Sequence, residues 1–399
     1  MTHPTPHLNI GLFGFGTVGE GLHEVFEKVR IKDAEIRRIC VRDLSKPRSL
    51  PAPMFTDNPD DIFADPAINL IVELIDDAES SYKLVRRALE AGIPVVTGNK
   101  KMLAYHLEEL IELQARTSTA LLYDASACGS IPVIRNLEEY YDNDLLISVK
   151  GILNGSSNFI LSKIFNESMS YDKALRLAQE LGFAESNPTF DVDGYDSLFK
   201  LVIITVHAFG SYVSPDRVFN YGISTMNDAD IRFANEKRRR IKLVAQVEKI
   251  EGNRFIMCVM PQFITKDKYI YSVEDEFNGV VIKGECYGKQ FMFGRGAGGH
   301  PTGSSVLSDI TARLHDYKYE YKKRHGSTPP RYTDELSFQL YLRYTDEADR
   351  ELFRFTDITE RYWSNDHKYV IGKVSLRNLV EIQERLRGKD LFLAAYPEN

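Results

Sequence analysis

The stretch LNIGLFGFGTVGEGL, residues 8 to 22, runs an apolar strand into G-x-G-x-x-G and then into a helical pattern. That order carries more weight than the glycine spacing alone. Gly14 permits a tight turn, Gly16 lets a pyrophosphate approach the backbone, and Gly19 allows close helix packing, while the helix N-terminus faces the anion. A glycine turn can also be a plain connector, but this one opens a series of strand-helix units. Over the first 125 residues short apolar runs alternate with amphipathic segments: LNIGLFG, a helix through VGEGLHEVFEKV, EIRRICV, a short helix near residues 59 to 61, INLIVELI, a helix through SSYKLVRRALEAG, and IPVVTG. Strands separated by helices predict βαβ units and a parallel sheet. The fold class is therefore α/β with a Rossmann-type nucleotide-binding domain, its cofactor loop formed by Gly14, Phe15, Gly16, Thr17, Val18 and Gly19.

The second strand, RRICV, ends in Arg42 and Asp43, followed by Lys46 and Arg48. An acid there would bind a ribose 2'-hydroxyl, whereas arginine or lysine would meet the 2'-phosphate of NADP. The basic side is better represented, so NADP is the preferred cofactor. NAD stays open, as does a solvated loop whose charges contact no ligand.

At 399 residues the chain exceeds one compact core and predicts more than one domain, at roughly 100 to 200 residues each. Hydrophobic content of 43% and charged content of 27% are ordinary, and a net charge of -7 offers no basic field for nucleic acid. Cysteines 40, 128, 258 and 286 share no C-x-x-C spacing, which argues against a zinc site or disulfide framework. The N-terminal MTHPTPHLNI lacks a basic region followed by an apolar core, and no long apolar run predicts a membrane span. A cytoplasmic enzyme is expected.

After the Gly/Ser/Pro break ACGSIP the character shifts. LLISVKGILNG, RFIMCVMPQFI and GVVIKGECYG predict longer strands, and YDKALRLAQELG a helix. These define a mixed α/β domain. In DVDGYDSLFK, residues 191 to 200, a helix from near Tyr195 would put Asp196 and Lys200 on one face, a turn apart. The spacing alone fits an ordinary surface ion pair. The apolar run LVIITVHAFG that follows carries this helix, and Lys200 with it, towards a core.

Five phrases together resemble one family: TGNKKMLAYHLEEL (97 to 110), YDASACGSIPVI (123 to 134), GILNGSSNFIL (151 to 161), AQELGFAESNPTFDVDGYDSLFK (178 to 200) and GRGAGGHPTGSSVLSDI (294 to 310). The chain resembles the homoserine dehydrogenases over roughly residues 8 to 315. The resemblance implies reversible interconversion of L-homoserine and L-aspartate 4-semialdehyde with NADP or NAD. It makes Lys200 the general acid/base, with Asp196 holding its ammonium and Lys100 as a second active-site lysine near the nicotinamide ribose or the substrate. Glu185 and Asp191 would bind the substrate's ammonium, and Asn154, Ser156 and Ser157 would line the reaction chamber. Gly296 would return to the cofactor. The carbonyls of Asp124, Ala127, Gly129 and Ile131 would form a cage for a structural Na+, as suits a hard cation. A homodimer is implied as well. A cofactor-binding regulatory protein without turnover, or an oxidoreductase for another amino-bearing aldehyde, stays open.

The sequence departs from the family at Asp76 and Asp77, where relatives place a glycine pair, at Cys128 and at Asn187. The expected division is a nucleotide-binding domain (1–145), a catalytic and dimerisation domain (146–290), a return segment completing the first (291–325) and a C-terminal module (326–399). RHGSTPPRY is the expected linker into that module. LSFQLYLRY, a helix through ELFRFTDITERYW, HKYVIGKVSL, a helix through LVEIQERL and LFLAAYP predict a small α+β unit distantly resembling the ACT modules, short of one strand. Packing or a dimer contact is its expected role.

Overall fold

The computed structural model describes residues 7–143, 145–326, 328–364 and 367–397. The residues MTHPTP of the N-terminal stretch and Ser327 of the expected linker lie outside them. Contacts divide the chain into two compact units, residues up to Tyr140 with Arg295–Lys322, and Tyr141–Gly294 with residues from Lys323 onward.

In the first unit six strands form one parallel sheet: β1 (Leu8–Phe13), β2 (Ala34–Cys40), β3 (Phe55–Thr56), β4 (Leu70–Glu73), β5 (Val95–Thr97) and β6 (Leu121–Leu122). Their order, β3-β2-β1-β4-β5-β6, reverses direction beside β1, and ligands of such sheets bind at the carboxyl ends near that switch. The buried runs Ile10, Leu12 and Phe13 of β1 and Leu70, Ile71 and Val72 of β4 explain the near-continuous apolar strands of a sheet covered on both faces. The return segment contributes the helix Gly299–Arg313. It crosses the helix Thr17–Val29 at backbone contact: a Cβ on Gly21 would lie 2.3 Å from the Gly299 carbonyl carbon, and one on Gly303 2.6 Å from Leu22 N.

The second unit is built on β7 (Leu146–Ile152), β8 (Phe219–Asn220), β9 (Arg240–Ile250), β10 (Arg254–Ile264), β11 (Phe277–Gly284), β12 (Gly288–Arg295), β13 (Arg331–Tyr332), β14 (Ser337–Tyr344), β15 (Asp357–Trp363), β16 (Lys368–Ser375) and β17 (Leu391–Ala395). The sheet runs β12-β11-β7-β9-β10-β17-β14-β16-β15, with β8 and β13 making short pairs on β10. The helix Tyr195–Phe209 is buried at every residue from Asp196 onward, which marks it as central to the unit.

The tail corrects one expectation. The segment through ELFRFTDITERYW is not a helix; only Glu347–Arg350 makes a single turn, capped by Asp346, and Asp357–Trp363 is the edge strand β15. Ile358 and Glu360 alternate in burial with Thr359 and Arg361, a period of two that the β-branched and aromatic residues favour. This strand is the one the sequence seemed to lack. The tail is then β-α-β-β-α-β with strand order β17-β14-β16-β15, the ferredoxin-like arrangement. Its inner residues Leu340, Leu342, Val370 and Leu393 share one cluster with Ile256, Cys258 and Met260 of β10, so the tail packs on the sheet it extends.

Candidate active site

In the first unit the glycine turn follows the strand as its chemistry requires. Gly14 has φ +93°, and a Cβ there would stand 2.5 Å from Leu74 O, so no other residue fits without strain. A Cβ on Gly19 would meet Gly14 O at 2.5 Å, whereas one on Gly16 would meet nothing within 4 Å. The chain's own atoms therefore leave room at Gly16, the N-cap of the helix Thr17–Val29, as an incoming pyrophosphate would need. Phe15 is buried against Phe55, with ring centroids 5.4 Å apart, so only its backbone is free to face a ligand; Thr17 is exposed and Val18 half-buried.

Beyond β2, Arg42 is exposed. Asp43 turns its carboxylate onto Ser45 N (2.9 Å) and Ser45 Oγ (2.6 Å), and these bonds hold its pKa below the usual range. Arg48 donates to Asp43 O (2.6 Å) and Lys46 O (3.0 Å), so its guanidinium is occupied within the loop. Of the two aspartates at the departure, Asp77 caps the helix Ala78–Glu90, accepting from Ser80 N at 2.8 Å.

Lys100 is half-buried and opens the helix Lys100–Thr117. Asn99 fixes that start, accepting from Met102 N (2.9 Å) and donating to Ile75 O (3.0 Å). Below it lies Glu73, fully buried at the end of β4, which accepts from Ile75 N (2.7 Å), Thr97 Oγ1 (2.6 Å) and Ser81 Oγ. Burial pushes its pKa up against those three donors. Sequence reasoning passed over both Asn99 and Glu73, although the N-x-x-M cap spacing could have flagged the first.

Of the carbonyls expected to cage a cation, Asp124 O accepts from Ala127 N (3.2 Å) and Ile131 O from Val133 N (2.7 Å), each within its own turn. Gly129 sits against Gly296, its hypothetical Cβ 2.6 Å from that carbonyl carbon, and Ser130 N donates to Arg295 O at 3.0 Å. Cys128 holds φ +62°, a conformation suited to the small residue it replaces. Among the described residues no group of three or more His, Cys, Asp or Glu is placed to hold a metal.

In the second unit four of the expected side chains form one hydrogen-bonded chain, three of them buried and Asp191 half-buried. Lys200 is 5% exposed; its Nζ donates to Asp196 Oδ2 at 2.8 Å and to Leu153 O at 2.7 Å. Asn154 Nδ2 donates to the same Asp196 oxygen at 3.0 Å and to Asp191 Oδ1 at 2.7 Å. Its Oδ1 accepts from Ser157 N and Ser157 Oγ, both at 2.7 Å, capping the helix Gly155–Glu167. An ammonium taken from water costs several kcal/mol unless paired and hydrogen-bonded, and here it is both. Ser156 Oγ donates instead to Phe183 O at 2.5 Å. Glu185 is exposed on the loop after the helix Tyr171–Glu180, where its carbonyl accepts from Gln179 Nε2 at 3.0 Å; its carboxylate is outside the hydrogen-bonded chain. Asn187 is likewise exposed and accepts from Thr189 Oγ1 at 2.7 Å.

A family model described as homoserine dehydrogenase matches residues 132–311, and one described as homoserine dehydrogenase, NAD binding domain, matches residues 14–124. The chain is 37% identical to a homoserine dehydrogenase of Lactococcus lactis subsp. lactis over 314 residues, 76% of this chain and 73% of the relative. A crystal structure of a homoserine dehydrogenase from Thiobacillus denitrificans superposes with TM-score 0.82 at 29% identity, covering 98% of each chain. A hyperthermophilic archaeal homoserine dehydrogenase in complex with NADPH superposes with TM-score 0.67 at 27% identity, over 78% of this chain and 99% of that one. Among the described residues no helix is long and apolar enough to cross a membrane.

Proposed function

The chain belongs to the homoserine dehydrogenase family, and we propose that it interconverts L-aspartate 4-semialdehyde and L-homoserine, with NADPH preferred to NADH. The observation that carries the reading is the hydrogen-bonded chain Lys200–Asp196–Asn154–Asp191, buried at its lysine end. An aldehyde accepts a hydride only if its developing alkoxide is stabilised, and an alcohol releases one only once its proton is withdrawn. The dinucleotide, when bound, supplies or takes the hydride. Lys200 supplies or takes the proton at the substrate oxygen. Asp196 and Leu153 O hold the ammonium in one place, and Asn154 keeps Asp196 turned towards it. Glu185 and Asp191 are the carboxylates assigned to the substrate's ammonium, with Asn154 and Ser156 beside them, and Lys100 is assigned to the nicotinamide ribose or the substrate oxygen.

The cofactor assignment uses Gly14 to Gly19 and Gly296 for the dinucleotide and Arg42 for the 2'-phosphate. Support for the last is local: Arg42 is exposed, while the acid next to it, Asp43, is taken up by Ser45. The carbonyls of Asp124, Ala127, Gly129 and Ile131 are assigned to a structural Na+, whose contribution would be to hold that loop. Four free thiols, three of them buried, accord with a reducing compartment, and the reading includes a cytoplasmic homodimer.

Purified protein mixed with aspartate semialdehyde and NADPH, then NADH, tests the reading by loss of reduced-cofactor absorbance. Rapid consumption with NADPH and slower consumption with NADH is expected. Cofactor binding without turnover would point to a regulatory protein instead, and turnover confined to an unrelated aldehyde would reassign the substrate.

A further inference from the structure

We infer that Asn278 is a positioning residue for proton transfer at Lys200, fixing the Leu153 carbonyl on which the lysine rests. The inference depends on the reading of Lys200 as acid and base. Asn278 is fully buried in β11, and its Nδ2 donates to Leu153 O at 2.9 Å, the oxygen that also accepts from Lys200 Nζ at 2.7 Å. The pairing Gly279↔Ile152 places Asn278 where β7 ends and the chain turns into the Asn154 cap. A carbonyl just past the end of a ladder has lost its strand partner and needs another anchor. The Asn278 amide supplies it.

The amide cannot be reversed, because Oδ1 would then face a carbonyl oxygen. Held this way, Oδ1 has no hydrogen-bond partner. What an asparagine adds here over a leucine of similar volume is the tie from Nδ2 to Leu153 O. The other acceptor of Lys200 is treated alike, since Asp196 Oδ2 also takes the Asn154 amide. Both oxygens that receive the ammonium are thus shared with buried carboxamides. Sharing fixes both oxygens, and with them the place of the ammonium. Asp196, on the same helix, faces Lys200 directly, and Asp191 reaches it through Asn154. The lysine of β7, Lys150, points away to Gln262 of β10 at 2.6 Å, and β11 contributes the neutral Asn278.

The test compares wild type, Lys200→Ala, Asn278→Leu and the isosteric Asn278→Asp in aldehyde reduction from about pH 6 to about pH 10, with thermal melts and cofactor affinities alongside. Asn278→Leu should leave cofactor affinity unchanged, yet lower kcat roughly 10- to 100-fold and move its alkaline limb to higher pH. Asn278→Asp, which adds a carboxylate beside the same oxygen, should move that limb further, by about one pH unit or more. Limbs that coincide with wild type, with or without a fall in Tm, would overturn the inference, as would failure of both variants to fold. Full turnover by Lys200→Ala removes the reading beneath it. An inactive Lys200→Ala with unmoved limbs in the Asn278 variants removes the Asn278 role alone.

Discussion

The glycine turn of the first unit and the lysine chain of the second solve different problems with different atoms. At residues 14 to 19 the proposed recognition is by backbone: Gly14 and Gly16 carry no side chain and Phe15 turns its ring into the core. At residues 153 to 200 side chains carry the arrangement, and each holds the next: Asp191, Asn154, Asp196 and Lys200 in turn. A backbone site tolerates replacement wherever space is open and fails where φ is positive. A side-chain relay fails at its terminal group. The sharpest way to break this contrast is Lys200→Ala, which should lower turnover by about 100- to 10,000-fold, the range for lost proton transfer, while cofactor binding to the first unit stays near wild type. Stopped-flow reduction with parallel cofactor titration measures both, and an unchanged rate would remove Lys200 from the chemistry.

The first unit offers a smaller effect with the opposite signature. Arg42→Ala deletes an exposed guanidinium. Loss of a charge-assisted contact to phosphate should weaken NADPH by roughly 10- to 100-fold and leave NADH almost unchanged. Equal weakening of the two cofactors would mean that Arg42 touches something common to both. Lys46 and Arg48 follow Arg42 in the same loop beyond β2. Arg48 is instead spent on Asp43 O and Lys46 O, which the sequence could not show because carbonyl acceptors leave no mark in it.

The same asymmetry governs what was legible. The turn at Gly14 could be found from composition and order because only glycine fits φ +93° beside Leu74 O. Lys200 could be found because a D-x-x-x-K pair ran into an apolar segment, and burial of a lysine demands a partner. Leu153 O could not, since any residue brings a carbonyl, and so Asn278 had no visible purpose. Glu73 stood as the one charge in the apolar run INLIVELI, yet its burial beneath Thr97 depends on how β4 and β5 align. In the tail the charged residues Asp357, Glu360 and Arg361 fall at i, i+3 and i+4, a helical spacing that concealed β15, an edge strand with polar side chains on both faces. Local periodicity was present there, but the register that gives it meaning comes from β16.

Lys242 sharpens the comparison from within the second unit, because it is a buried amine with no carboxylate at hydrogen-bond distance. Its Nζ donates to Val273 O at 2.5 Å and Asn158 Oδ1 at 3.0 Å, and the nearest carboxylate oxygen, Glu274 Oε2, stands 3.8 Å away. Asn158 Nδ2 in turn binds the carbonyls of Val273, Asp275 and Phe277, so the pair ties down the loop that leads into β11 and Asn278. Burial pushes the Lys242 ammonium down from 10.5 to about 8, with Glu274 opposing. The folded value lies below the unfolded one, so between them the native protein binds fewer protons than the unfolded chain. Stability from this group is therefore lost as pH falls through about 8 and recovered as pH rises towards 10.5. Lys242→Met removes the titration and retains much of the volume. Denaturant titrations of both proteins should show wild type gaining on the variant by on the order of 1 kcal/mol between about pH 7 and about pH 9. A difference that stays constant with pH would mean that Glu274 moves in to pair with the ammonium, and the contrast with the Lys200–Asp196 pair would then disappear.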